Sequence, residues 1–452
     1  MNVAQQYIDL YEDQKGVITT HSSGVMNAPR ELALESFVQQ GIPTKGLERY
    51  RYTDLSHVFD IEYGVNLKTL LPNYNPYNDF SCDVDDIESS LHFLVNGVYQ
   101  GASETPNLPD GMLVGSLRKL TEEYPEKFAP YYNKLAGEKN DPMACFNTAF
   151  AQDGLLVYVP RGVEYTEVLQ LISLFRSQVD MLINRRLLII LEDQASMKML
   201  LCDHVDNDIT YLSTQTIEIY LGKGARLEMY DLEETHNETS RINNVYVQQE
   251  ADSSFLMNGT TLHNGLSRND IYVDMIGEGA DVLLSGMVIA DKKQHIDNHT
   301  FIRHAVPNCT SHELFKYILD NQAIGAFSGR VLVERDAQKT LSEQSNKNIC
   351  LTKSARMYTQ PQLEIYADDV KCSHGATVGQ LDDQALFYMQ QRGIPAKEAR
   401  MLLMFAFVDD VINTIRIPVL QERLRKLVEQ RLRGETNKCT GCALCGGRTC
   451  NK

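Results

Sequence analysis

No stretch of the 452 residues approaches the ~18 uninterrupted apolar positions of a membrane-spanning helix. No membrane span is therefore expected, and the acidic net charge argues against an anionic-membrane binder. Positive charge is also in short supply. The chain has 43 Lys and Arg against 60 Asp and Glu, a net charge of -17. Neutralising phosphates needs a basic surface, so this balance argues against a general nucleic-acid binder and suits docking to a basic partner. The N-terminal stretch MNVAQQYIDLYEDQKG has early acids and no apolar core of signal-peptide type, so a cytoplasmic location is expected. In that compartment the 10 cysteines are expected as free thiols, metal ligands or sulfur carriers rather than disulfides. There is no G-x-x-x-x-G-K-[ST] phosphate loop, no G-x-S-x-G and no H-E-x-x-H, and nothing argues for an independent enzyme. Tryptophan is absent, from which nothing follows.

What is present divides the chain into regions. Residues 1–150 read as a helical and mixed N-terminal domain, with apolar residues at helical spacing over Ala4 to Glu12 and Arg30 to Gln40. Gly41-Ile42-Pro43 breaks the second of these helices. The segment GLERYRYTDL, Gly46 to Leu55, interleaves basic and aromatic residues. It reads as a connector with snorkelling arginines, a nucleic-acid patch being the alternative. Leu71 to Asn78 reads as loop.

From Gly154 the pattern changes. Short aliphatic and β-branched runs such as LLVYV (155–159), RLLIIL (186–191), TIEIYL (216–221) and DIYVDMI (270–276) follow one another with polar turns between them. A small residue recurs in those turns at Ala195, Ala225, Ala251, Ala280, Cys309 and Ala337. A near-constant period of about 26–30 residues without helices is the signature of a stacked β-solenoid, a regular β-sandwich being the alternative. Residues 151–379 are assigned to this core, 380–434 to a C-terminal helical domain and 435–452 to a cysteine-rich tail. In the helical domain, Asp382 and Asp383 start a helix that Gly393 ends, Pro395 and Pro418 start two more, and Gly434 ends the last. Three helices at a solenoid end read as a cap, a docking platform, or both.

Three clusters could carry chemistry. In the stretch LEIYADDVKCSHGATVG (Leu363 to Gly379), Cys372 and His374 are two positions apart. On a strand they project together, with Lys371 and Ser373 on the other side. A thiol beside an imidazole can bind a soft metal, hold sulfur or simply pack, and two ligands do not complete a metal site. The tail carries Cys439, Cys442, Cys445 and Cys450 as C-x2-C-x2-C-x4-C, a spacing that can wrap zinc or an iron–sulfur cluster. The third is His295, His299 and His304 with Asp297 and Asn298. There Ile296, Asn298, Thr300, Ile302 and His304 share what reads as the inward face of a strand, with packing and hydrogen bonding preferred over a metal.

The block D-D-V-K-C-S-H-G-A-T-V-G followed by D-D-Q-A-L-F-Y-M-Q-Q-R-G-I, within Pro361 to Phe407, closely resembles the SufB/SufD family of iron–sulfur cluster assembly proteins. GIPTKGLERYRYTDL (Gly41 to Leu55) also resembles the family's N-terminal segment, and the C-S-H-G form is more similar to SufD-type than to SufB-type members. The resemblance implies a right-handed parallel β-helix between helical N- and C-terminal domains. It also implies a non-catalytic scaffold that partners SufB and the ATPase SufC, with a homodimer as the form of the isolated chain. By the same resemblance His374, with Cys372 beside it, belongs to a subunit interface where a transient iron–sulfur cluster forms. Phe387, Tyr388, Arg392, Met404 and Phe405 lie on the helices expected to receive the ATPase. The cysteine tail departs from the family's pattern. It leaves a second function open, a metal-binding or electron-transfer protein working through the tail. A polysaccharide-acting β-helix enzyme would call for a secretion signal, which is missing.

Overall fold

The computed structural model describes residues 3–71, 75–79, 89–101, 108–205, 207 and 209–434. Its centre is a β-solenoid made of two facing ten-stranded sheets. Successive strands alternate between the sheets. One sheet runs from Leu155–Val159 through Met181–Leu191, Tyr211–Leu221, Thr239–Gln249, Leu266–Met275, His295–His304 and Ile324–Val333 to Arg356–Ile365. The other runs from Glu164–Phe175 through Ser196–Val205, Arg226–Glu234, Ser254–His263, Asp281–Ala290, Thr310–Leu319 and Leu341–Cys350 to Lys371–Gly379. All these pairings are parallel, and equivalent positions stack from coil to coil, as in Leu266↔His295↔Ile324↔Arg356.

The repeat has a conformational cause. At one corner of each coil a residue adopts positive φ: Gln194, Gly224, Asp252, Gly279, Asn308 and Lys339. The next residue is small and fully buried: Ala195, Ala225, Ser253, Ala280, Cys309 and Thr340. A left-handed residue turns the chain sharply, and only a small side chain fits inside the bend it makes. The backbone N–H at the bend also bonds to the next coil, as in Gly224 N to Ala251 O at 2.8 Å and Asp252 N to Glu278 O at 2.9 Å. The period read from the sequence is therefore real, but two corners are shifted. Ser253 and Thr340 occupy the places expected for Ala251 and Ala337.

The N-terminal helices cover the outer face of the first sheet. Val3–Thr20, Arg30–Gln40 and Pro142–Phe150 bring Tyr7, Tyr11, Phe37, Phe146 and Phe150 against Leu182, Leu212, Ile242 and Leu266. Arg30 is buried and donates to the carbonyls of Thr148, Ala149 and Ala151, the unpaired C-terminal end of the last helix. Asp141 caps that helix at the other end by accepting from Met143 N and Ala144 N. The Gly46 to Leu55 segment is a clamp. Arg49 pairs with buried Asp141, Thr53 bonds to His295 and Asp297, and Tyr52 stacks on Tyr358 with ring centroids 4.6 Å apart. Its arginine and aromatic residues are thus used within the chain. Pro76–Asp79, overlapping the end of the segment read as loop, forms one short helix.

The C-terminal helices Asp383–Gln391, Ala396–Ile412 and Pro418–Arg433 begin and end where the caps and breakers placed them. Their packing differs from an end cap. Val408, Val411, Ile412, Leu420, Leu424 and Leu427 lie on Leu200, Tyr230, Leu256, Met287 and Ile318, the outer face of the second sheet. Lys316 anchors them, its Nζ donating to Asp410 Oδ2 at 2.5 Å and Phe407 O at 2.7 Å. Among the described residues the last coil is left open. Arg356–Ile365 and Lys371–Gly379 each pair with a single strand of their own sheet, and the last strand carries no fully buried residue.

Candidate functional site at the open end

The strand Lys371–Gly379 is held by its neighbour Leu341–Cys350 in unbroken register, with Cys372 over Ser342 and His374 over Gln344. Its entry turn is tied down by Lys339 N to Asp369 O at 2.6 Å and Asp369 N to Gln338 Oε1 at 2.9 Å. Cys372 is half-buried and packs against the solenoid core, so its face of the strand is the inward one. His374, of the same parity, shares that face yet is exposed, because among the described residues no further coil covers it. Lys371 and Ser373 are exposed on the opposite face.

Below each of the two residues runs a column of polar side chains. Under Cys372, Ser342 accepts from Ser311 Oγ at 2.8 Å, and Ser311 in turn meets His304 Nε2 at 2.9 Å. Under His374, Gln344 Nε2 donates to Glu313 Oε2 at 2.5 Å. Glu313 is buried, and burial pushes its carboxyl up to about 7. Burial also pushes the Cys372 thiol up, partly offset by a backbone hydrogen bond at Ser342. A thiol in that state is a poor nucleophile by itself. It becomes a ligand only if a metal or a neighbouring positive charge displaces its proton. Lys371, the adjacent positive charge in sequence, lies on the other face.

The remaining candidate residues fall elsewhere. His295 bonds to Thr53, His299 faces Asp270 at 3.3 Å, and His304 enters the serine column, so the three serve packing and hydrogen bonding. Asp297 is taken by Arg268 at 2.5 Å. Among the described residues no group of three or more His, Cys, Asp or Glu could hold a metal ion. Cys439, Cys442, Cys445 and Cys450 lie outside the described residues. On the helices, Phe387 and Tyr388 are 61% and 60% exposed, and Arg392 donates to Tyr388 Oη at 3.1 Å with its guanidinium over the ring. Phe405 is half-buried against the second sheet. Met404 is buried in the same packing.

Glu313 and Gln344 went unnoticed in the sequence. Their signal is the coil period itself, since 313, 344 and 374 are one position in three successive coils.

The description "SUF system FeS cluster assembly, SufBD core domain" matches residues 175–407, and "SufBD protein N-terminal region" matches residues 1–171. The chain belongs to the SufBD family. A SufBD family iron–sulfur cluster assembly protein of Synechocystis is 29% identical over 432 residues, covering 93% of this chain and 94% of that one. The iron–sulfur cluster assembly protein SufD of Escherichia coli is 25% identical over 454 residues, covering 96% and 97%. SufD of Bacillus subtilis is 24% identical over 432 residues, covering 88% and 97%. As in the sequence-based expectation, this SufBD protein is a mainly β solenoid with helices at both termini. None of its described helices is long and apolar enough to cross a membrane.

Proposed function

We infer that this chain is a SufD-type scaffold subunit of a cytoplasmic SUF complex, with SufB and the ATPase SufC as partners and no catalysis of its own. The observation that carries this is the open end of the solenoid, where unpaired strand edges and an exposed imidazole occur together. A parallel stack that stops uncovered presents N–H and C=O groups that a second solenoid can pair with. SufB supplies that second solenoid in the complex, and another copy of this chain does so when it is isolated. A cluster, the cargo, then assembles across the junction with His374 as one ligand and a thiolate of the partner as another. Cys372 serves as a nearby sulfur or metal donor once deprotonated. SufC supplies the nucleotide hydrolysis for which this sequence has no phosphate loop, and it docks on the exposed face of Asp383–Gln391 through Phe387, Tyr388 and Arg392. Anaerobic cluster reconstitution on the complex carrying His374→Ala tests the ligand role. Loss of the cluster chromophore is expected, and unchanged formation refutes it.

The four tail cysteines favour a second reading, a metal or cluster carried by the tail. Metal and sulfide content of the full chain, compared with a chain ending at Gly434, tests it. Equal content in both rules the tail out.

A further inference from the structure

The interior of the last coils is polar where a solenoid interior is ordinarily apolar. Ser342, Gln344, Asn346 and Asn348 all point inward and are buried. Gln344 reaches across the axis because Gly329 stands opposite it. A Cβ at Gly329 would lie 2.2 Å from Gln344 Nε2. The amide is oriented by its bond to Glu313, one coil down. A planar amide that aims its N–H at the coil below aims its oxygen away from it, toward the coil above. Gln344 Oε1 is buried and has no donor among the described residues. Leaving such an acceptor unmet is unfavourable, because it has given up its hydrogen bond to water. The residue directly above it in register, on the same inward face, is His374. Two buried hydroxyls nearby also lack a partner: Thr300 Oγ1, in register one coil below Gly329 and directed at Glu313, and Thr359 Oγ1, on the facing sheet, which stacks on Phe327, one column away from Gly329.

We propose that Gln344 is a positioning residue for His374, its Oε1 accepting one imidazole N–H while Glu313 keeps the amide the right way round. The imidazole turns toward the solenoid axis to make this bond. Tying one ring N–H fixes the tautomer and leaves the other nitrogen bare, with its lone pair directed out of the open end. A metal-binding histidine ordinarily has such a partner, and removing it costs 10- to 100-fold in affinity. The inference rests on the ligand role proposed above for His374 and adds the group that prepares it.

The test uses the full-length chain labelled with 15N in histidine, the His374 signal being the one lost in His374→Ala. A single tautomer is expected at His374. In Gln344→Met, which keeps the length of the side chain and removes the acceptor, the signal becomes the average of both tautomers. The iron concentration giving half-maximal cluster formation in the assembled complex rises at least tenfold. An unchanged tautomer in Gln344→Met, or a wild-type signal that is already an average, overturns the proposal. These outcomes are separate from the ligand role. If His374→Ala abolishes the cluster while Gln344→Met leaves the tautomer alone, only the part played by Gln344 falls. If His374→Ala still assembles the cluster, the ligand role falls whatever the tautomer.

Discussion

Replacing Glu313 by Gln should stabilise the protein above neutral pH and leave it unchanged in mild acid. Burial raises the Glu313 carboxyl from 4.5 to about 7, so the fold binds its proton more tightly than the unfolded chain does. A group of this kind contributes fully below its unfolded pKa, and the contribution is lost as pH rises through 7. The difference corresponds to about 3 kcal/mol at pH 8. Glutamine keeps the shape and the bond to Gln344 but has no charge to bury. A chain of this length has an unfolding entropy of about 0.9 kcal/mol/K, so the expected rise in Tm at pH 8 is about 3 °C. At pH 5 it should shrink below about 1 °C.

Buried histidines pull the other way in the wild type. Burial lowers His92, His263 and His304 to about 4 each, so their contribution is present above 6.5 and is lost as pH falls toward 4. These histidines oppose Glu313, so the pH dependence of the wild type alone does not isolate it. Because both proteins carry the same histidines, comparing wild type and Glu313→Gln at each pH by thermal unfolding isolates Glu313. A Tm difference that stays the same at pH 5 and pH 8 would refute a carboxyl held near neutrality.

Other perturbations probe other parts of the fold. Asp141→Ala removes the helix cap and leaves Arg49 facing an empty place, and it should cost about 3–5 kcal/mol in thermal or urea unfolding. Gly329→Ala pushes Gln344 off Glu313 and should cost about 1–3 kcal/mol, with the His374 tautomer disturbed as in Gln344→Met. The double change Phe387→Ala, Tyr388→Ala should leave stability within about 0.5 kcal/mol, since both side chains are exposed, while weakening SufC binding at least tenfold in a titration.

The solenoid was legible because its coils repeat turn chemistry, and turn chemistry is local. The two shifted corners show the limit of that signal. Ala251 and Ala337 are small, but the residue that matters is the one after positive φ, and neither Asp252 nor Lys339 announces a left-handed conformation as a glycine does. The helix ends after Gly379 were equally plain, each marked by Asp, Pro or Gly. Which surface those helices cover was not, because the apolar stripe of Ala396–Ile412 would serve a solenoid end as well as a sheet face. Cys372 and His374 were visible as a pair on one strand face. The column beneath His374 lay about 30 residues apart per step and needed the exact register, which the sequence period alone gives only to within a few residues.

The clamp between Thr53 and Asp297 spans 244 positions of chain. During synthesis at ~5–20 residues per second, the N-terminal segment therefore waits about 12–50 s for its binding surface to exist. Until the strands carrying Leu182, Leu212 and Ile242 are made, Tyr7, Tyr11 and Phe37, all buried in the finished fold, have no sheet to cover. The coils, by contrast, can be laid down one upon another as they emerge, each new strand finding its template already in place. Growth of the molecule is thus sequential along the axis, while closure of its flank is a late event. A chaperone that protects this protein would be expected to hold its first sixty residues rather than its core.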